Sequence, residues 1–332
     1  MTGGGEKAVG GGVAAMKRAF VFPGQGSQFP GMGKELAEAS PIARHLFEEI
    51  DDALSQHLSR LMFEGPESDL MLTENAQPAL LAASLAVIRV LEAEAGYDIA
   101  QASNGAAYVA GHSLGEYSAL AAARALSVPD AACLVKRRGQ AMQKAVPVGE
   151  GAMAALLGLD IEAAREVANE ASVGELVCAV ANDNSPGQIV VSGHAAAVAH
   201  AIALAAGRGS RRSIMLPVSA PFHSPLMQPA ADMMQEALAE TALQRPAVPL
   251  VANVTAKETT DPDEIRALLV AQVTHMVRWR ETVELFAANE VEEVVEIGAG
   301  RVLAGLVKRI NRDLAASSIG APADIEALLK RL

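Results

Sequence analysis

The stretch Val109-Ala110-Gly111-His112-Ser113-Leu114-Gly115-Glu116-Tyr117-Ser118 reads as the end of a strand, a sharp turn and the start of a helix. Ser113 has a glycine two residues before it and another two residues after it. A serine hydroxyl is a poor nucleophile until its geometry and its proton are managed. A strand-to-helix elbow manages the geometry by holding the oxygen out on a strained turn. Glycines are needed there because a side chain would collide with the neighbouring strand or helix. The helix that follows aims its free N–H groups and positive dipole end at the reacting atom. The pattern points to covalent acyl chemistry; the alternative is a tight strand–helix turn with an inert serine.

The rest of the chain is consistent with an α/β enzyme. Its 332 residues are 51% hydrophobic but only 3% aromatic, so the core must be built from Ala, Val, Leu, Ile and Met. Such a composition suits helices packed closely on a parallel sheet. A net charge of −12 argues against a nucleic-acid partner. Cys133 and Cys178 form neither a disulfide framework nor a metal motif, which fits a cytoplasmic location. The longest apolar run, 195–207, is interrupted by His200 and is too short to cross a bilayer, so no membrane is expected. Residues 1–15 are glycine-rich and read as a flexible extension or an expression remnant.

Periodicity divides the chain further. Residues 19–22 form a short buried strand that ends in the loop Pro23-Gly24-Gln25-Gly26-Ser27-Gln28. Helical spacing runs from 42 to 96, with breaks expected at Gly65-Pro66 and Gln77-Pro78. Residues 151–218 follow the order β-α-β-β-α-β, with a turn at Asn182-Asp183-Asn184-Ser185-Pro186-Gly187, which is the ferredoxin-like pattern. The expected division is a large α/β-hydrolase-like domain with a parallel sheet, residues 16–148 and 219–332, and an inserted small domain, 149–218. Residues 249–254 and 293–297 are further strands, the second being the last.

A nucleophilic serine needs a base. Of seven histidines, His45, His57, His194 and His200 read as solvated, and His112 as structural. His275 sits in a helix-ending segment. His223 differs, because it lies in Ala220-Pro221-Phe222-His223-Ser224-Pro225, a loop stiffened by two prolines. A titratable ring on a stiff loop suits catalysis, although it also suits a histidine capping the next helix.

Arg138 is informative for another reason. Ala131, Leu134, Val135, Arg138 and Met142 share one helical face that should be buried. A guanidinium there needs an anion, either an internal carboxylate or the carboxylate of a substrate.

These motifs occur together with Lys136-Arg137-Arg138-Gly139-Gln140 and Gly298-Ala299-Gly300-Arg301-Val302-Leu303, in order, along one chain. The chain closely resembles the malonyl-CoA–acyl carrier protein transacylases of bacterial fatty acid synthesis over about 16–312. The resemblance implies that Ser113 is the nucleophile and His223 the base. It implies an oxyanion hole from the backbone N–H groups of Gln25 and Leu114. Arg138 would hold the malonyl carboxylate, and Gln272 matches a glutamine whose carbonyl orients the histidine. Asn182 would lie at the cleft wall, Met142 beside Arg138, and Phe222 where a bulky ring leaves little room for an α-methyl branch.

No cofactor is implied. The partners implied are malonyl-CoA and an acyl carrier protein docked on a local basic patch, with the enzyme a monomer. Candidate patches are Arg208, Arg211 and Arg212, then Lys136 and Arg137, then Lys308, Arg309 and Arg312. The competing readings are a polyketide-pathway transacylase, a serine esterase of the α/β-hydrolase type, and an idle docking subunit.

Overall fold

The computed structural model describes residues 16–101, 106–218 and 220–331. The extension expected over 1–15 therefore lies outside the described residues. The strands are β1 (Arg18–Phe22), β2 (Ala106–Gly111), β3 (Gly151–Leu157), β4 (Cys178–Ser185), β5 (Gln188–His194), β6 (Arg212–Met215), β7 (Leu250–Val251), β8 (Glu258–Thr259), β9 (Glu293–Ile297) and β10 (Ala315–Ile319).

Six of them form one sheet in the order β10-β9-β1-β2-β7-β8, parallel except for β8 at the edge. β1 is buried along its whole length, as expected where helices cover both faces of a parallel sheet. The loop of residues 23–28 follows β1 and the elbow follows β2, and these strands are neighbours, with Phe22 beside Gly111. Both loops therefore leave the same carboxyl edge of the sheet, where α/β folds place their ligands.

The elbow is tight enough to require its glycines. A Cβ on Gly111 would lie 1.8 Å from the carbonyl carbon of Gly115, and one on Gly115 would lie 2.2 Å from the Phe22 carbonyl oxygen. Only a missing side chain lets strand, turn and helix approach this closely.

The other four strands form an antiparallel sheet in the order β4-β5-β3-β6, backed by helices Ile161–Ala171 and Ala195–Gly207 over a core of their own. Its order matches the β-α-β-β-α-β expectation. It is stitched to the larger sheet's surroundings along β4. Asp183 N–H donates to Val277 O at 3.0 Å, Val277 N–H donates to Ala181 O at 2.9 Å, and Arg280 pairs with Asp183 at 2.9 Å.

Three details differ from the sequence pattern. The polar run Asn182–Ser185 is not a turn but the end of β4, and only Pro186-Gly187 turns. Irregular register at Val180/Asn182 and Asp183/Ser185 and the Arg280 ion pair accommodate polar residues there. No break occurs at Gln77-Pro78, because helix Thr73–Ala93 runs through the proline. Every residue from Ala76 to Ile88 is buried, and this packing outweighs the one backbone bond that Pro78 removes. Although long and apolar enough to cross a membrane, this helix is the buried core helix of the large sheet. Finally, β9 is not the last strand, because β10 pairs with it in parallel at the sheet edge.

Candidate active site

The site lies in a cavity of about 260 Å³ between the two sheets. Ser113, Leu114, Gln25, Arg138, Met142, Asn182, Phe222 and His223 all line it, so eight of the nine expected residues meet at one place. The ninth, Gln272, is fully buried behind it.

Ser113 Oγ lies 2.8 Å from His223 Nε2. His223 Nδ1 lies 2.8 Å from the backbone oxygen of Gln272. A carbonyl oxygen only accepts, so Nδ1 carries the ring proton and Nε2 is left free to accept from the serine. The tautomer needed of a base is thus fixed by a neutral main-chain group, where a hydrolase triad uses a carboxylate. Burial first, and the Arg138 charge second, push His223 from 6.5 down to about 3, so the ring is neutral and ready to accept a proton.

Arg138 is 1% exposed and touches no carboxylate. Its Nη1 donates to Gln77 Oε1 at 2.8 Å, and its Nη2 donates to Gln272 Oε1 at 2.9 Å and to Ser113 Oγ at 3.1 Å. Its Nε has no hydrogen-bond partner among the described residues. The internal ion pair considered from sequence is therefore absent among the described residues. A guanidinium held by neutral amides beside a serine hydroxyl retains its charge for an incoming anion.

The N–H of Ser113 is occupied, since it donates to Asn253 Oδ1 at 2.8 Å. The N–H groups of Gln25 and Leu114 find no acceptor among the described residues, and both residues border the cavity. The Gln25 side chain is held by Thr73, whose hydroxyl donates to Oε1 at 2.6 Å. His112 plays a structural part, bonding Asn184 Oδ1 at 2.8 Å and packing on Trp279.

Three residues of the site, Gln77, Asn253 and Glu116, were not singled out in the sequence, and of Gln272 only the carbonyl was. Gln77 sits where a helix break was expected, yet it carries Arg138. Asn253 bridges the elbow, donating to Gly111 O at 2.6 Å while accepting from Ser113. Glu116 and the side chain of Gln272 complete a buried polar network beneath them. A run of neutral amides and one acid facing an elbow is a signal only once the fold brings 111–116, 253 and 272 together.

A serine bonded to a histidine on a strand–helix elbow, with an unpaired cation beside it, defines a serine acyltransferase. The family model described as the acyl transferase domain matches residues 19–323. The malonyl CoA-acyl carrier protein transacylase of Bacillus subtilis (strain 168) is 46% identical over 316 residues, covering 95% of this chain and 97% of its own. A crystal structure of the acyl-carrier-protein S-malonyltransferase from Bartonella henselae is 53% identical, with a TM-score of 0.92 over 95% of this chain and 99% of that one. A malonyl-transacylase solved in complex with its type II PKS acyl carrier protein is 41% identical, with a TM-score of 0.91 over 95% of this chain and 100% of that one. The chain belongs to the malonyl CoA-acyl carrier protein transacylases, within the acyl transferase family.

Proposed function

We propose that Ser113 carries a malonyl group from malonyl-CoA to the phosphopantetheine thiol of an acyl carrier protein, in fatty acid synthesis. The observation that carries this reading is Arg138, a buried guanidinium without a carboxylate, 3.1 Å from the nucleophile's oxygen. Malonyl brings the missing carboxylate on the group to be transferred.

Ser113 Oγ attacks the thioester carbon while His223 Nε2 takes its proton. The oxyanion faces the N–H groups of Gln25 and Leu114, each worth roughly 10²–10³ in rate. His223 returns the proton to the departing sulfur, and coenzyme A leaves as a thiol. The carrier's thiol then gives its proton to His223, attacks the malonyl-serine ester and restores Ser113. Thioester, ester and thioester are nearly balanced in energy, so these steps call for no metal or nucleotide. Met142, Asn182 and Phe222 shape the wall of the pocket, and Phe222 limits room at the α-carbon. Residues 149–218 act as the inserted domain that closes the cleft opposite the elbow.

Charge pairing narrows the carrier's docking surface. Arg208 is paired with Glu166 and Glu170, Arg137 with Glu240, and Lys136 with Glu74. Arg211, Arg212, Lys308, Arg309 and Arg312 form no ion pair among the described residues. Arg309 donates to Gln188 Oε1 at 2.7 Å, the neighbouring Gly187 O accepts from Gly158 N–H at 2.8 Å, and Arg211 N–H donates to Leu157 O at 2.7 Å. These contacts bring Arg309 near Arg211, and we infer that the two clusters together offer an acidic carrier a basic face.

Intact mass tests the reading. Exposure to malonyl-CoA should add one malonyl group, and holo carrier protein should then remove it and become malonylated. Loss of the group to water alone, with carrier present, would instead establish the esterase. The same chemistry serves a polyketide carrier, as the partner of one solved relative illustrates.

A further inference from the structure

Glu116 lies in the first turn of helix Gly115–Ala122 and is fully buried. Its Oε2 accepts from Gln272 Nε2 at 2.7 Å and from Asn253 N–H at 3.2 Å, while its Oε1 has no partner among the described residues. No lysine, arginine or histidine among the described residues bonds it. Arg138 is in the converse position, a buried cation that lies over the Tyr117 ring and, among the described residues, donates to Gln77, Gln272 and Ser113 and to no carboxylate. One side chain joins the two: Gln272 accepts from Arg138 at Oε1 and donates to Glu116 from Nε2. A lone buried charge is very costly. A buried cation and anion linked through one polarised amide compensate each other without contact.

We propose that Glu116 is the resident counter-charge of Arg138, and that it takes up one proton from solvent when an acyl group's carboxylate settles on Arg138. The proton is released when that group leaves. The proposal rests on the reading of Arg138 as the holder of the substrate carboxylate. An arriving carboxylate lies nearer to Arg138 than Glu116 does. The site then holds two carboxylates and one guanidinium, and like charges disfavour joint ionisation.

The other ionisable groups packed around this network do not supply the proton balance. Burial pushes the Tyr117 phenol up, so it stays neutral. Burial likewise pushes His112 and His223 down, so both rings are neutral before substrate arrives. Arg138 keeps its charge. Burial pushes Glu116 up to about 7, held back by Gln272, Asn253 and Arg138. Once another anion satisfies Arg138, that restraint weakens and the carboxyl rises further.

Acyl transfer to Ser113 consumes a hydroxyl and releases a thiol that keeps its proton near neutral pH, so uptake belongs to the protein. The test is to malonylate the whole enzyme in dilute buffer near pH 7.5 with an indicator dye, counting acyl-enzyme by intact mass. Uptake of a large part of one proton per malonyl-enzyme is expected, and none for acetyl-enzyme formed from excess acetyl-CoA. Glu116→Gln should form malonyl-enzyme without uptake, a readout that a purely structural role does not move. Malonyl-enzyme formed by the wild type with no uptake overturns the proposal, as does uptake that persists in Glu116→Gln. If that variant fails to fold, the wild-type malonyl-versus-acetyl comparison decides. Failure of the Arg138 reading appears separately, as an Arg138→Ala enzyme that keeps its preference for malonyl.

Discussion

Ser113 and His223, 2.8 Å apart across the cleft, both hold left-handed backbone, with φ of 55° and 56°. Non-glycine residues in that region cost about 1–3 kcal/mol each and persist only where their surroundings over-determine them. Buried bonds do so at the elbow. Asn253 Oδ1 accepts from the Ser113 N–H, Gln272 Nε2 donates to the Ser113 carbonyl at 2.9 Å, and Asn253 Nδ2 donates to Gly111 O.

Asn253→Ala should therefore loosen the nucleophile. Orphaning the Ser113 N–H and the Gly111 carbonyl costs about 1–3 kcal/mol of stability. Thermal denaturation should detect that loss, and steady-state kinetics should find kcat down at least tenfold. An enzyme with unchanged kcat removes Asn253 from the elbow's support.

Ser113→Ala should leave the fold intact and form no acyl-enzyme. Mass spectrometry after exposure to malonyl-CoA checks this, and a malonyl adduct on the variant would place the nucleophile elsewhere.

Arg138→Ala should cost about 1.5–3 kcal/mol of malonyl recognition, roughly 10- to 100-fold in kcat/KM. Acetyl-CoA, which has no carboxylate, should lose far less. The ratio of the two specificity constants is the measurement, and an unchanged ratio refutes the clamp.

Stability should respond to pH in two opposing windows. The unfolded chain protonates His223 below about 6.5, whereas the folded chain refuses that proton until about 3. Between these values the unfolded state binds more protons, so the stability His223 contributes is lost as pH falls through the window. Glu116 has the opposite sign: the folded carboxyl keeps its proton to about 7 against an ordinary 4.5, so its contribution is lost as pH rises across that range. Melting temperatures of His223→Ala and wild type should converge on the acid side. Parallel profiles between pH 3 and 6.5 would contradict the first part.

Charge reversal at Arg211 together with Lys308 should raise the KM for carrier protein and flatten its salt dependence, with KM for malonyl-CoA unchanged. Unaltered carrier kinetics would move the docking face elsewhere.

The residues legible in the sequence are those whose type clashes with its setting. Ser113 lies between glycines, His223 between prolines and Arg138 on an apolar helical face. Gln272 could not be found that way, because the group that orients His223 is a main-chain carbonyl, which every residue possesses. Asn253 and Gln77 are neutral amides whose work depends on partners 140 and 61 residues away. β10 was hidden for a related reason. Its Ala-Ala-Ser-Ser sequence lacks branched side chains, but Ser317 and Ser318 bond the buried Glu293 and Glu296 of β9. Polar partners across the ladder, rather than strand propensity, place it there.

The two ends of Gln272 answer to substitution differently. Any residue at that position still offers a carbonyl to His223, so the aim of the ring is indifferent to a point mutation there. The side chain's grip on Arg138, Glu116 and the Ser113 carbonyl is not. A substitution at 272 thus reaches both the seat of the acyl group and the elbow, while the histidine keeps the carbonyl that orients it.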